Sequence, residues 1–248
     1  MEVLVIGLGS IGLRHAKNLK NLGIKSIIGI DPNENMRKRF ENEIGNITFK
    51  SLEDLPQDKQ PNLTVISSPS IYHIDHALFA AHLGSHLFIE KPLSSSMRNI
   101  EKLQEIVKSK KLFAHIGSNF KFHPALMKIK ECLEQEKIGT IVSAQILAGQ
   151  WLPDWHPDQD YRLGYSANSD LGGGIVLDSH EIDYITWLLG PVKGMSGYCT
   201  NSGALEIDTE DLAIACLHFE SGALCSLQVD YIQRQYKKRY NISGDLGT

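Results

Sequence analysis

Three groups of residues in this chain have the type and spacing to do chemistry. The first is Gly7-Leu8-Gly9-Ser10-Ile11-Gly12, a Gly-x-Gly-x-x-Gly placed directly after a β-branched run and at the start of a helical pattern. In that context Gly7 permits a tight turn, Gly9 lets backbone approach a pyrophosphate, and Gly12 lets helix pack on strand. The helix start, with Ser10 and Ile11, offers free N–H groups and a positive dipole end to phosphate. Asp31 closes the next strand nineteen residues after Gly12, where a carboxylate would accept from ribose hydroxyls and repel a 2′-phosphate. NAD is therefore expected over NADP, with Arg37 and Arg39 close enough in sequence to serve NADP instead. The alternative is a glycine-rich turn that holds no nucleotide.

The second group is Glu90-Lys91-Pro92, at the end of an apolar run from His86. Ligands bind at the carboxyl ends of strands in doubly wound sheets, so Lys91 can point into a cleft. The bland alternative is a solvated strand end. The third is Asp178-Ser179-His180-Glu181-Ile182-Asp183. On a helix His180 and Asp183 are neighbours, whereas Asp178 faces elsewhere. An imidazole titrating near neutrality makes His180 a candidate general base, and packing against a sheet is the other reading. Ahead of it, Trp151 to Arg162 mixes Trp151, Trp155 and Tyr161 with polar ends. Aromatic planes of this kind suit sugar rings or pin a loop to its own domain.

The elements that must position these residues alternate in the first half. Strands are expected at Glu2–Ile6, Lys25–Ile30, Ile47–Phe49, Leu63–Ser67 and His86–Glu90. Helices are expected at Ser10–Leu22, Asn33–Glu43, Ile74–Leu83 and Ser94–Lys110. Such alternation calls for an α/β, doubly wound parallel sheet of Rossmann type over residues 1–120. Residues 121–248 read differently: a helix from Pro124 to about Gln135, a strand at Ile141–Trp151 and a long loop to Asp170. A helix then starts near Gly172–Gly174, followed by strands at Val192–Thr200, Leu212–Phe219, Ala223–Tyr231 and Arg239–Ile242. That succession predicts an α+β domain with a mostly antiparallel sheet. A loop this long inside a compact domain signals a site.

Composition narrows the class. The 248 residues carry 25 Lys+Arg against 29 Asp+Glu, a net charge of −4, which argues against a nucleic-acid partner. No apolar run approaches the roughly eighteen residues of a membrane helix, and the N-terminus has no signal-peptide pattern. Cys132, Cys199, Cys216 and Cys225 lack metal-ligand spacing, which suggests reduced thiols and a cytoplasmic setting. The ten histidines, with His73/His76 and His82/His86 at helical offsets, bring no third and fourth ligand, so no metal is expected.

Taken together the motifs resemble the Gfo/Idh/MocA family (glucose–fructose oxidoreductase / inositol dehydrogenase). The carriers are Gly7–Gly12 with Arg14-His15, Ser68-Pro69 with His73, and Gly84 through Glu90-Lys91-Pro92-Leu93. Asn119 through Phe122-His123-Pro124, and Gly172–Gly174 with His180-Glu181-Ile182-Asp183 and Leu189-Gly190, complete the set. They follow the family's order across essentially the whole chain. A more distant likeness, at Leu152-Pro153-Asp154-Trp155 and Asp160-Tyr161-Arg162, is to members found with surface-polysaccharide or sugar-modification pathways.

The resemblance implies an NAD(P)-dependent enzyme with its active site between the two domains, moving a hydride between nicotinamide C4 and a secondary alcohol of a sugar, sugar acid, polyol or nucleotide sugar. It implies that Lys91 holds the reacting oxygen and that His180 exchanges its proton. Ser68, Pro69, His73 and Glu90 would border the cofactor, and Asn119, Trp151, Trp155, Tyr161 and Arg162 the substrate. By the same analogy the chain forms a homodimer or homotetramer. Many members carry an Asp three or four residues before the His, whereas Asp178 is two before His180, so Asp178 receives no role. The chain ends at Ser243-Gly244-Asp245-Leu246-Gly247-Thr248, like the family's Gly-x-x-Gly-Thr turn, which implies a C-terminally short member with an unpaired sheet edge. The rival expectation is a catalytically silent NAD(H)-binding or regulatory relative.

Overall fold

The computed structural model describes residues 1–175 and 180–248. Asp178 lies outside the described residues. The chain divides into two compact units, Met1–Gly117 and Ser118–Thr248.

The first unit is a six-stranded sheet in the order β3-β2-β1-β4-β5-β6. Its strands are β1 (Glu2–Ile6), β2 (Ser26–Ile30), β3 (Thr48–Phe49), β4 (Leu63–Ile66), β5 (His86–Ile89) and β6 (Ala114–Ile116). Every pairing is parallel. Connecting helices are α1 (Ser10–Asn21), α2 (Glu34–Ile44), α3 (His73–His82) and α4 (Ile100–Ser109). Central strands must be apolar on both faces, and Val3 to Ile6 of β1 are all buried. One face packs Leu4, Ile6, Ile28 and Ile66 against Ile74, Ala77 and Leu103. The other packs Val3, Val5, Ile27 and Val65 against Leu13, Ala16, Phe40 and Ile44. Strand order reverses between β1 and β4, so the carboxyl ends of β1, β2, β4 and β5 form the crevice where such sheets bind ligands.

Two local expectations need correction. The helix expected from Ser94 starts at Ile100. Serines compete with the helical backbone through their side chains, and the Ser96 N–H donates to Ser94 Oγ at 3.1 Å. Asn99 at φ 61° then enters α4 from the left-handed region. Edge strand β6 is absent from the sequence reading, because its three exposed residues give no alternation.

The second unit holds a five-stranded sheet in the order β11-β7-β10-β9-β8. Its strands are β7 (Ile141–Gly149), β8 (Val192–Thr200), β9 (Leu212–Phe219), β10 (Leu224–Asp230) and β11 (Lys237–Gly244), beside α5 (Pro124–Glu134) and α6 (His180–Leu189). The sheet is mixed: β7 and β10 run parallel, and the other pairings are antiparallel. Gly222, at φ 90°, makes the β9–β10 hairpin turn. Alternation places Ala144, Ile146, Leu217, Cys225, Leu227 and Val229 on the face that buries Leu126 of α5 and Tyr184, Ile185 and Leu188 of α6. The expected long loop is a chain of single 3₁₀ turns, at Leu152–Asp154, Tyr161–Leu163, Tyr165–Ala167 and Ser169–Leu171. Among the described residues no helix is long and apolar enough to cross a membrane.

Candidate functional site

The glycine turn of the first unit is shaped by backbone sterics. Gly7 lies at φ 86°, and a Cβ there would stand 2.5 Å from the Ser68 nitrogen. A Cβ on Gly12 would stand 1.8 Å from the Gly7 carbonyl oxygen, so helix and turn touch through the missing side chain. Around Gly9 the same test finds open space to 4 Å. Gly9 is also the N-cap of α1 and caps it with no side-chain hydrogen bond. A turn that is crowded at its two ends, open in the middle and followed by free helical N–H groups fits a pyrophosphate.

Asp31 sits at the end of β2 with its Oδ2 accepting from the Leu8 N–H at 2.7 Å and its Oδ1 from the Asn33 N–H at 2.8 Å. The carboxylate is thus fixed against the glycine turn. Arg37 donates to the Asp31 and Pro32 carbonyls at 2.8 and 2.9 Å, and Arg39 pairs with Glu43 at 2.8 Å. The two cations near enough in sequence to meet a 2′-phosphate are both engaged elsewhere. The donor set fits NAD.

The next two strand tips complete this edge of the sheet. After β4, Ser68 Oγ shares a hydrogen bond with His76 Nδ1 at 2.9 Å. Burial, helped by His73, pushes the His76 imidazole down to about 4. Pro69 leads the short turn Ser70–Tyr72 into α3. His73 is 2% exposed, its Nδ1 2.8 Å from the Pro92 carbonyl and its Nε2 2.7 Å from the Ser68 carbonyl. It ties the Ser68 loop to the Lys91–Pro92 step, and burial holds its imidazole below the ordinary range. That step carries a cis peptide. Glu90 Oε1 lies 2.7 Å from His15 Nε2 on α1, and Glu90 Oε2 accepts from the Lys91 N–H at 3.1 Å. Gly7, Gly9, Ser10, Ile11, Gly12, Asp31, Ser68, Pro69, His73, Glu90 and Lys91 therefore gather on one edge of one sheet.

In the second unit His180 opens α6, its ring centroid 4.7 Å from that of Phe120. Phe120 belongs to a single 3₁₀ turn, Phe120–Phe122, whose N-cap is Asn119. Lys238 of β11 lies over the Phe120 ring at 4.1 Å and pairs with Glu181 Oε1 at 2.5 Å. Glu181 is 1% exposed, and its Oε2 has no hydrogen-bond partner among the described residues. Behind it Tyr184 and Tyr240 meet edge to face at 5.4 Å, and burial, with the Glu181 charge, raises the Tyr184 hydroxyl. Lys121 pairs with Asp183 at 3.1 Å. An aromatic and ionic floor thus lies around the start of α6.

The loop candidates divide. Trp151 carries Arg234 over its ring at 3.4 Å, and Trp155 meets Tyr231 edge to face at 5.1 Å. Tyr161 and Arg162 form a knot. The Tyr161 hydroxyl accepts from the Glu206 N–H at 3.3 Å, while Arg162 binds Asp160 at 2.8 Å and Glu206 at 2.7 Å. That knot is the loop-pinning arrangement. Among the described residues no group of three or more His, Cys, Asp or Glu could hold a metal ion. Sequence reasoning missed His15, Phe120 and Lys238 as parts of these clusters. His15, one helical turn after Gly12, was the one with a sequence signal.

Fold and site define a dinucleotide-binding Rossmann unit followed by a second unit built on a mixed sheet. Residues 1–118 match the oxidoreductase family with an NAD-binding Rossmann fold, and residues 126–248 match the GFO/IDH/MocA C-terminal domain. The chain belongs to the Gfo/Idh/MocA oxidoreductase family. It is 28% identical to a myo-inositol 2-dehydrogenase of Thermotoga maritima over 90% of this chain and 66% of that protein. It is also 28% identical to a scyllo-inositol 2-dehydrogenase (NAD(+)) of Bacillus subtilis, over 88% and 64% of the two chains. The fold matches the WlbA dehydrogenase of Bordetella pertussis, solved with NADH and UDP-GlcNAcA, at a TM-score of 0.86. That match has 22% identity and covers 99% of this chain and 71% of that one. The chain spans from 52% to 71% of the length of the first curated relatives it matches.

Proposed function

We propose that this chain is an NAD-dependent oxidoreductase that moves a hydride between nicotinamide C4 and a secondary alcohol or ketone of a sugar, sugar acid, polyol or nucleotide sugar. The observation that carries the reading is the open Gly9 turn, with the Asp31 carboxylate fixed against it and Lys91 on a strand tip of the same sheet edge. The relatives named as inositol dehydrogenases, two of them, support a polyhydroxylated substrate. The nicotinamide supplies the hydride chemistry; the chain's own residues bind, orient and manage charge and protons.

Lys91 holds the reacting oxygen and stabilises negative charge as it develops there, the electrostatic part of the reaction. His180 takes the hydroxyl proton during oxidation and returns it during reduction. Trp151 and Trp155 offer aromatic planes to sugar rings, and Asn119 a polar end. Tyr161 and Arg162, bound to Asp160 and Glu206, hold the loop's shape. The setting is cytoplasmic. Association into a homodimer or homotetramer uses the open face of the second sheet, where Tyr198, Ile214 and Leu224 are exposed.

The test is Lys91→Ala assayed with NAD and a panel of polyols, sugar acids and nucleotide sugars. Loss of one oxygen-binding cation should cut turnover by about 10²–10³-fold, while NADH affinity stays within about threefold, well below a tenfold step of 1.4 kcal/mol. A wild-type chain that binds NADH and turns over nothing in the panel would contradict the reading and favour a binding-only relative.

A further inference from the structure

Glu90 is a half-buried carboxylate on the cofactor edge of the first unit, and both of its oxygens are used. Its side chain is 18% exposed and that of His15 is 21% exposed. A carboxylate can only accept, so the imidazole donates from Nε2 to Oε1 across 2.7 Å. The second oxygen receives the Lys91 N–H at 3.1 Å. Room for this comes from Gly117, where a Cβ would stand 3.1 Å from Oε1 and 3.2 Å from Phe88. The His15 ring also rests edge-on against Phe88 at 5.0 Å, so its orientation is set on two sides. Burial of Glu90 favours its neutral form. The hydrogen bond and charge of His15, with the Lys91 backbone and charge, outweigh burial and hold the carboxyl below its ordinary value.

The pairing joins two places with no covalent reason to move together. His15 lies one turn into α1, whose first residues border the open phosphate turn. Glu90 precedes the lysine at the tip of β5. Resting on the assignment of Lys91 to the substrate oxygen, we propose that His15 and Glu90 form a positioning pair for Lys91. His15 orients the carboxylate, and the carboxylate fixes the Lys91 backbone and supplies the neighbouring negative charge. The attraction between Glu90 and Lys91 is mutual, so the carboxylate also favours the ammonium form of the lysine. Among the described residues His73 of α3 feels the Glu90 charge, and His115 of β6 lies on Phe88, its ring 5.6 Å from the Phe88 ring. Neither is a carboxylate that could replace Glu90.

The experiment reads Lys91 directly and needs no substrate. Lysines of the full chain are reductively methylated with ¹³C, the Lys91 signal is identified by its loss in Lys91→Arg, and its titration is followed by NMR. Glu90→Gln keeps shape and an acceptor but removes the charge, and should lower the Lys91 midpoint by about one unit. Hydrogen exchange of the Lys91 amide reads geometry: His15→Leu should accelerate it, and His15→Gln, which retains a donor, should restore protection. If His15→Leu loses the native circular dichroism, His15→Asn, too short to reach Glu90, takes its place. An unchanged midpoint in Glu90→Gln, or unchanged amide exchange without a donor at position 15, overturns the proposal. Because turnover is not measured, a chain inert toward every substrate would sink the oxidoreductase reading and leave this result standing.

Discussion

The two candidate sites are built from different materials. On the Rossmann edge the decisive features are backbone features: a glycine at positive φ, one that a Cβ would drive into a carbonyl, and one facing open space. Around His180 they are side chains brought from α6, the Phe120 turn and β11, with Lys238 reaching Glu181 across 57 residues of sequence. A backbone cradle needs a short local motif, so a phosphate site can be written in six consecutive residues. A side-chain floor needs tertiary packing, and nothing local records it.

The sharpest way to break this contrast is at Gly12. Alanine is the better helix former by about 1 kcal/mol, yet its Cβ would stand 1.8 Å from the Gly7 oxygen, and the clash must win. Gly12→Ala should lose NADH binding and destabilise the first unit by about 3 kcal/mol or more, as strong overpacking does. Gly9→Ala, in open space, should leave the melting temperature in place and lower NADH affinity at least about tenfold, a difference of about 1.4 kcal/mol. Equal effects of the two substitutions on stability would refute the division of labour among the glycines.

At the side-chain site, Lys238→Met strands the Glu181 carboxylate at 1% exposure and should cost about 3–5 kcal/mol in denaturant unfolding. Lys238→Met combined with Glu181→Gln should recover most of that loss, since the penalty comes from an unpaired buried charge. A double variant as unstable as the single one would show that packing of the Lys238 stem on Phe120 matters more than charge.

A smaller effect tests His76. Its imidazole falls from an ordinary 6.5 to about 4 in the folded chain, so between those values the unfolded chain binds more protons. The stabilisation is whole above about pH 6.5 and is lost as pH falls toward 4, up to about 3 kcal/mol at about 1.4 kcal/mol per unit. Chemical denaturation of wild type and His76→Gln across that window should show a flatter profile in the variant. Parallel profiles would mean that His76 is not held neutral.

Legibility in the sequence followed the same division. The strand–helix alternation, the glycine motif and Asp31 were readable because each depends on neighbours within a few residues. The strands at Leu212–Phe219 and Ala223–Tyr231 were readable for the same reason. The late start of α4 escaped because helical periodicity extends through Ser94–Ser96, whose side chains cap turns instead. The parallel β7–β10 pairing escaped because register between distant strands leaves no mark on either one. Glu181 looked like one more acid on a helix, and only the fold shows it buried against Lys238. Arg37 and Arg39 left NADP open in the sequence; their bonds to the Asp31 and Pro32 carbonyls and to Glu43 are tertiary facts.

We assign NAD to the Gly9 turn and Asp31. Fluorescence titration of the purified chain with NADH and with NADPH tests it most directly. Saturable NADH binding is predicted, at least about tenfold tighter than NADPH, a gap of about 1.4 kcal/mol that should shrink in Asp31→Asn. A chain with native circular dichroism that binds neither nucleotide, or that prefers NADPH, would contradict the account.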